Sequence, residues 1–205
     1  MKIAVASKNA HKVKELSAML AIDGFEFVSL RELGFEGEIE ENGSTFEENA
    51  LIKAEFVCKQ YGLPALADDS GLCVEHLNGA PGIYSARYAS TDTHNADDSE
   101  NIQKLLENLK NVPQNERAAY FMCVIAVVLP DGTQKTFAGK SEGYITTTLN
   151  GKGGFGYDPV FFSKDLNKTF GEATEEEKNA VSHRRRAVDQ LKDFLPTLLN
   201  ADSNQ

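Results

Sequence analysis

The chain has 205 residues, 41% of them hydrophobic, and a formal net charge of -10. That length and apolar content suffice for one compact domain, and the acidic balance excludes a nucleic-acid backbone as the main partner, because such partners select basic surfaces. Three widely spaced cysteines, Cys58, Cys73 and Cys123, form no CxxC pair, which argues against a disulfide framework or a zinc site and suits a reducing, cytoplasmic setting.

Met1 to Ser7 meets polar residues too early for a secretory signal, and the longest apolar run, 118–129, falls short of the roughly 20 residues a membrane span takes. No membrane partner is expected. Lys2 to Ala6 reads as a first strand, and Ser7-Lys8-Asn9-Ala10-His11-Lys12 as the turn into a helix carrying Val13, Leu16, Met19 and Leu20 at helical spacing. Backbone N–H groups, an amide and an ammonium at the positive end of a helix suit phosphate. A plain capped helix start with solvated lysines is the simpler alternative.

Phe25 to Leu30 reads as a second strand, followed by an acidic loop from Glu36 to Gly43. Thr45 and Glu48 have the spacing of a capping box. The helix they open carries Phe46, Ala50, Ala54, Val57, Cys58 and Tyr61 on one face and stops at Gly62 and Pro64. Asn49 and Lys53, four apart, share another face. Next comes Leu63-Pro64-Ala65-Leu66-Ala67-Asp68-Asp69-Ser70-Gly71-Leu72, an apolar run ending in two carboxylates. Neighbours on a strand point to opposite faces, so one acid can meet a ligand while the other is held by the protein, with Ser70-Gly71 expected to turn the chain at once. Burying such acids requires a cation or donors, and a divalent metal is a natural third party. Packing of the helix on this strand would bring Glu40 or Glu41 toward the aspartates.

Cys73 to Leu77 reads as a strand, Asn78-Gly79 as a tight turn, and Gly79 to Tyr88 as a compact ordered loop. Asp97 to Glu100 opens a helix with Ile102, Leu105, Leu106 and Leu109 inward. His76 and His94 lack partners at ligand spacing and read as structural or solvated. A long buried strand is expected over 118–129. Asp131-Gly132 then closes a hairpin to Thr133–Ala138, and Gly143 to Thr148 extends the sheet.

Gly151, Gly153 and Gly156 form a formal GxGxxG, but Asp158-Pro159 disfavours the helix that a dinucleotide fingerprint needs there. Glycines at this spacing instead let backbone approach a flat ligand, on which Phe155 and Tyr157 could stack. Two core aromatics in a turn are the plain alternative. Thr174 opens a short helix containing Lys178, and Ser182-His183-Arg184 opens the last one, with Val188, Leu191, Phe194, Leu195 and Leu198 as its apolar stripe. Cations at a helix N-terminus oppose its dipole, so a polar or anionic ligand would help account for them.

Six ordered segments carry a resemblance: Ser7-x-Asn9-x-x-Lys12, Glu41-x-Gly43-x-Thr45-Phe46-x-x-Asn49-Ala50, Ala67-Asp68-Asp69-Ser70-Gly71-Leu72, Gly79 to Tyr88, Gly153 to Pro159, and Ser182-His183-Arg184-x-x-Ala187. Together they cover nearly the whole chain, which resembles the non-canonical purine nucleoside triphosphate pyrophosphatases, the inosine triphosphate pyrophosphatase-like enzymes. Lys8 departs from the pattern, since close relatives often carry glycine there.

The resemblance implies an α/β fold with an elongated mixed sheet flanked by helices, in two lobes with a nucleotide cleft between them. It implies one such domain over 1–199 and a homodimer, while residues 200–205 read from the sequence itself as a disordered tail. The implied reaction is magnesium-dependent hydrolysis of ITP, dITP and XTP to the monophosphate and pyrophosphate. Carried over by position, Ser7, Lys8, Asn9, Ala10, His11, Lys12 and Lys53 hold the triphosphate. Asp69 binds magnesium and activates the water, and Glu40, with Glu41 close behind, is the second metal ligand. Ser70, Phe155, Gly156, Tyr157, Asp158, Lys178, His183 and Arg184 form the nucleotide and base pocket. A non-catalytic purine-nucleotide sensor on the same scaffold is the competing reading, and a general metal-dependent phosphatase a third, which would leave the Phe155–Asp158 and His183-Arg184 elements idle.

Overall fold

The computed structural model describes residues 1–202, and the side chains of Ala10, Ser17, Ala18 and 200–202 lie outside the described residues. In chain order the elements are β1 (Lys2–Val5), α1 (Ala10–Met19), β2 (Glu26–Ser29), α2 (Phe46–Tyr61), β3 (Ala65–Val74), α3 (Asp98–Asn108), β4 (Ala118–Val128), β5 (Gln134–Ile145), β6 (Phe161–Ser163), β7 (Lys168–Thr169), α4 (Glu175–Val181) and α5 (His183–Asp202). The strands form one mixed sheet in the order β2-β1-β3-β4-β5-β6-β7, the α/β class expected from the sequence. The last helix runs to Asp202, and the rest of the tail expected over 200–205 lies outside the described residues.

Two compact units make up the chain. The first comprises Met1–Asp69, Cys123–Gly139 and the chain from Arg184 onward; the second comprises Ser70–Met122 and Lys140–His183. In the first unit β1 pairs in parallel with β2 and with β3, Val5 lying opposite Leu66. Parallel neighbours need crossovers, which α1 and α2 supply. Ile3, Val5, Leu16, Leu66, Ile125, Val127, Val188, Leu191 and Leu195 fill its core. In the second unit β6 pairs antiparallel with both β5 and β7. There Phe121 packs edge-on to Phe161 at 4.7 Å and stacks on Phe170 at 6.0 Å, in a core shared with Leu72, Val74, Leu105 and Ile145.

Three local expectations are corrected. β3 does not turn at Ser70-Gly71 but runs unbroken to Val74; the strand expected over Cys73–Leu77 is the end of β3 followed by a 3₁₀ turn at Glu75–Leu77. The two strands expected over Thr133–Ala138 and Gly143–Thr148 are one, β5. Gly143 reads as a breaker by composition, yet a Cβ there would lie 2.0 Å from the Phe162 carbonyl oxygen, so this glycine lets β6 close on β5. At the start of α2, Thr45 accepts from the Glu48 N–H at 3.1 Å, while the Glu48 carboxylate returns to the N–H and hydroxyl of Ser44 rather than to Thr45. The reciprocal half of the box is displaced by one residue.

Candidate active site

Strand parity decides what the adjacent aspartates do. Asp68 is 1% exposed and Asp69 6%, but each has its own partners. Asp68 accepts from the Arg184 guanidinium at 3.2 Å and pairs with Lys12 at 3.3 Å, and Arg184, itself 1% exposed, also grips Glu15. Burial alone would raise the Asp68 carboxyl, yet Lys12, Arg184 and Lys53 overrule it and hold it far below the ordinary aspartate range. Burial would lower the Arg184 guanidinium, but Asp68 first, then Cys123 and Glu15, raise it. Asp68 is a fixed anion.

Asp69 lies in the opposite situation. Its Oδ1 meets Lys53 Nζ at 3.2 Å and its Oδ2 meets Asn49 Nδ2 at 3.4 Å. Lys53 also reaches Glu41, again at 3.2 Å. Burial raises the Asp69 carboxyl, Lys53 and Lys12 oppose it, Glu41 adds to the rise, and the net direction is upward. Lys53 stays charged: burial would lower its pKa, but Asp69, Asp68 and Glu41 raise it above the ordinary lysine value. Charge and burial thus drive the neighbouring carboxylates in opposite directions. The supporting helix is itself tied down, since Asn49 Oδ1 accepts the Gly43 N–H at 2.8 Å and so fixes the loop that bears Glu41.

Asp69 and Glu41 present hard carboxylate oxygens, and magnesium is usually bound through one or two protein carboxylates with phosphate and water completing the shell. Among the described residues no group of three or more His, Cys, Asp and Glu side chains gathers for a metal, and the two carboxylates share the Lys53 ammonium. Glu40 stands exposed in the preceding loop.

At the turn before α1, Asn9 caps the helix, its side chain accepting from the His11 and Lys12 N–H groups at 3.0 and 3.2 Å. The Lys8 ammonium lies 5.4 Å from the Phe35 ring centroid and 3.4 Å from the Glu36 carbonyl oxygen. Ser7 is half-buried and His11 exposed, and the Ala10 side chain lies outside the described residues.

The second unit holds the glycine-rich stretch. No helix opens at Gly156; a 3₁₀ turn at Asp158–Val160 leads into β6, which fits the rejection of a dinucleotide fingerprint. Asp158, 2% exposed, accepts from the Phe155 N–H at 2.9 Å and from Lys178 Nζ at 2.7 Å. A Cβ on Gly154, whose φ is +73°, would lie 2.0 Å from that same carboxylate, so only glycine allows this turn. Lys178 sits 4.4 Å from the Phe155 ring centroid, a cation under an aromatic face. His183 stacks on Phe121 at 4.9 Å, and the Tyr157 hydroxyl donates to the Ser85 carbonyl at 2.8 Å. The Lys178 ammonium beside the Phe155 ring suits a charged, flat ligand.

The model of the Ham1 family matches residues 3–194. The chain belongs to the Ham1 family. A curated relative from Clostridium perfringens, named dITP/XTP pyrophosphatase, is 49% identical over 204 residues, covering 97% of this chain and 98% of that one. A relative of the same name from Bacillus subtilis is 47% identical over 191 residues, covering 93% and 95%. Among solved structures, the Ham1 protein of Staphylococcus aureus superposes with a TM-score of 0.85 at 41% identity, covering 96% and 99% of the two chains. One from Coxiella burnetii gives 0.87 at 43% identity, with the same coverage.

Within this Ham1 fold the residues singled out from sequence fall into two groups. Lys12, Lys53 and Asp69 gather in the first unit, together with Arg184, whose guanidinium lies on Asp68 and Glu15. Phe155, Asp158, Lys178 and His183 lie in the second, along with Ser70, the first residue after Asp69 in that unit. Sequence reasoning did not find Glu15, Phe121 or Phe170. Glu15 meets Arg184 across 169 residues of chain, and no local signal joins them. Phe121 sits in an apolar run whose members look alike until one of them carries an imidazole.

Proposed function

We propose that this chain hydrolyses dITP, ITP and XTP to the nucleoside monophosphate and pyrophosphate, with magnesium bound by Asp69 and Glu41 or Glu40. The observation that carries the reading is the split between Asp68, neutralised by Lys12 and Arg184, and Asp69, raised by burial beside a second carboxylate. The printed names of the relatives support the substrate class.

Lys12 and Lys53, with the backbone of Ser7–Lys12, hold the triphosphate; Lys8 must leave Phe35 to join them. Magnesium, when bound, neutralises phosphate charge and lowers the pKa of a water. Asp69, held by Lys53 and Asn49, would orient the attacking water and take its proton. Asn49 and Lys53 keep the Asp69 carboxylate from rotating away. Asp68 remains ionised and fixes Lys12, and Arg184 serves the site through Asp68. At the other end of the nucleotide the purine stacks on Phe155, with Tyr157 behind the loop. Lys178 and His183 donate to the 6-oxo group. Adenine presents an amino group there, and each donor left unpaired costs roughly 1–3 kcal/mol. The protein acts as a cytoplasmic homodimer in this reading; its three free cysteines are buried, as suits a reducing compartment, and light scattering at the mass of one chain would remove the dimer.

Product analysis tests the proposal: purified protein with magnesium and equal amounts of dITP, ITP, XTP, GTP and ATP, scored for pyrophosphate against orthophosphate. Pyrophosphate from the first three, little from GTP or ATP, and none after chelation of magnesium is the expected result. Orthophosphate release, or tight binding without turnover, would overturn it.

A further inference from the structure

We propose that Asp98 is a positioning residue for base recognition, holding the peptide between Phe155 and Tyr157 through the Gly156 N–H; this rests on reading Phe155–Asp158 as the base loop. α3 needs no help from Asp98 at its N-terminus. Asp97 is the cap, accepting from the Glu100 N–H at 2.9 Å while Glu100 accepts the Asp97 N–H at 2.9 Å. The Asp98 carboxylate instead reaches 58 residues along the chain and accepts the Gly156 N–H at 2.7 Å, a charge-assisted bond of the stronger class.

The same first turn of α3 grips the far side of the loop as well. Asn101, 2% exposed, accepts the Ala89 N–H at 2.8 Å and donates to the Ala86 carbonyl at 3.2 Å. It thereby fixes the 3₁₀ turn at Gly82–Arg87, whose Ser85 carbonyl receives the Tyr157 hydroxyl. Ser85 in turn accepts the Leu72 N–H at 2.9 Å and donates to the Gly82 carbonyl at 2.6 Å. This gives the Gly79–Tyr88 segment, otherwise without a part in the chemistry, a structural task behind Tyr157.

Phe155 is thus held from three sides: by Asp158 at its own N–H, by Lys178 beneath its ring, and by Asp98 at the next amide. A peptide plane carries its N–H rigidly, so anchoring the Gly156 N–H also sets the direction from which Phe155 leaves the backbone. Supporting residues of this kind alter recognition without touching the ligand.

Steady-state kinetics of wild type, Asp98→Ala, Asp98→Asn and Asp97→Ala with XTP and ATP test the assignment, alongside binding of inorganic tripolyphosphate and hydrogen exchange at the Gly156 amide. The expected result for Asp98→Ala is faster Gly156 exchange, unchanged tripolyphosphate binding, and a KM for XTP raised about tenfold with kcat kept, the worth of one hydrogen bond to a charged group. Asp98→Asn, which keeps an acceptor, restores most of the loss, and Asp97→Ala does not reproduce it. A wild-type KM for XTP in Asp98→Ala overturns the role of Asp98, as does equal loss of XTP and tripolyphosphate binding. A wild-type enzyme that turns over XTP and ATP alike overturns the base-loop reading itself.

Discussion

The acid cluster of the first unit and the aromatic loop of the second are built on different physical terms. Around Asp68 and Asp69 the side chains are largely buried charges mounted on a strand, three helices and the loop of Glu41, and each is held by opposite charge: Arg184 between Asp68 and Glu15, Lys53 between Asp69 and Glu41. Around Phe155 the backbone is irregular, and besides one buried ion pair, Asp158 with Lys178, it is held by a ring contact and by hydrogen bonds from peptide N–H groups. Removing one member of a buried ion set leaves an uncompensated charge and is severe. Removing one anchor of a loop leaves the fold standing. The difference teaches where a substitution costs stability and where local geometry can change without that cost.

Substitutions can break that contrast. Asp69→Asn should lower XTP turnover by on the order of 10³-fold, within the range for loss of a positioned general base, while urea unfolding stays close to wild type because Lys53 keeps Glu41 as its counter-ion; retained turnover would remove Asp69 from the chemistry. Arg184→Met should cost about 3–5 kcal/mol in urea unfolding, because it leaves Asp68 and Glu15 short of a buried partner. A loss within error of zero would mean that Lys12 alone suffices. Phe155→Leu should leave unfolding almost unmoved but weaken XTP binding by roughly 1–3 kcal/mol, the worth of one stacked base, with tripolyphosphate binding unaltered. If tripolyphosphate binding falls equally, the loop is not confined to the base.

Two gentler tests use protonation. Asp68 is held below its ordinary value of 3.8, so the folded chain binds a proton there less readily than the unfolded one. Its contribution is complete above that value and drains away as pH falls through the lower folded value. Wild type should therefore lose more stability than Asp68→Asn on acidification below about pH 4, by the same linkage; parallel curves would deny the pairing. Burial pushes the Cys123 thiol up to about 12, so at pH 8 an alkylating reagent should label Cys123 only after unfolding, as mass spectrometry of native and denatured samples would report.

Much of the acid cluster was legible because strand alternation is a rigid rule. Adjacent Asp68 and Asp69 had to part company, and Asn49 and Lys53 had to share a helical face. The choice between Glu40 and Glu41 was not legible, since an irregular loop has no period to count. Nor was the end of β3: Ser70-Gly71 has turn chemistry, but sheet pairing overrides local preference. The joining of two expected strands into β5 was not legible either, because the place of Gly143 within it depends on the Phe162 carbonyl of a neighbouring strand. Arg184 was legible as a cation in need of an anion, though not as the partner of Asp68, which lies 116 residues away in the chain.

The chain passes between its units four times, between residues 69 and 70, 122 and 123, 139 and 140, and 183 and 184, and the first three passages fall inside β3, β4 and β5. Neither unit is therefore a continuous piece of polypeptide that truncation could isolate. During synthesis, which proceeds from the N-terminus, Asp68 and Asp69 leave the ribosome long before Arg184 and the α5 residues Val188, Leu191 and Leu195 that complete their core. A nascent chain that has already made both aspartates has Lys12 but still lacks Arg184, the second counter-ion of Asp68, and the buried charge set is complete only when the last helix arrives.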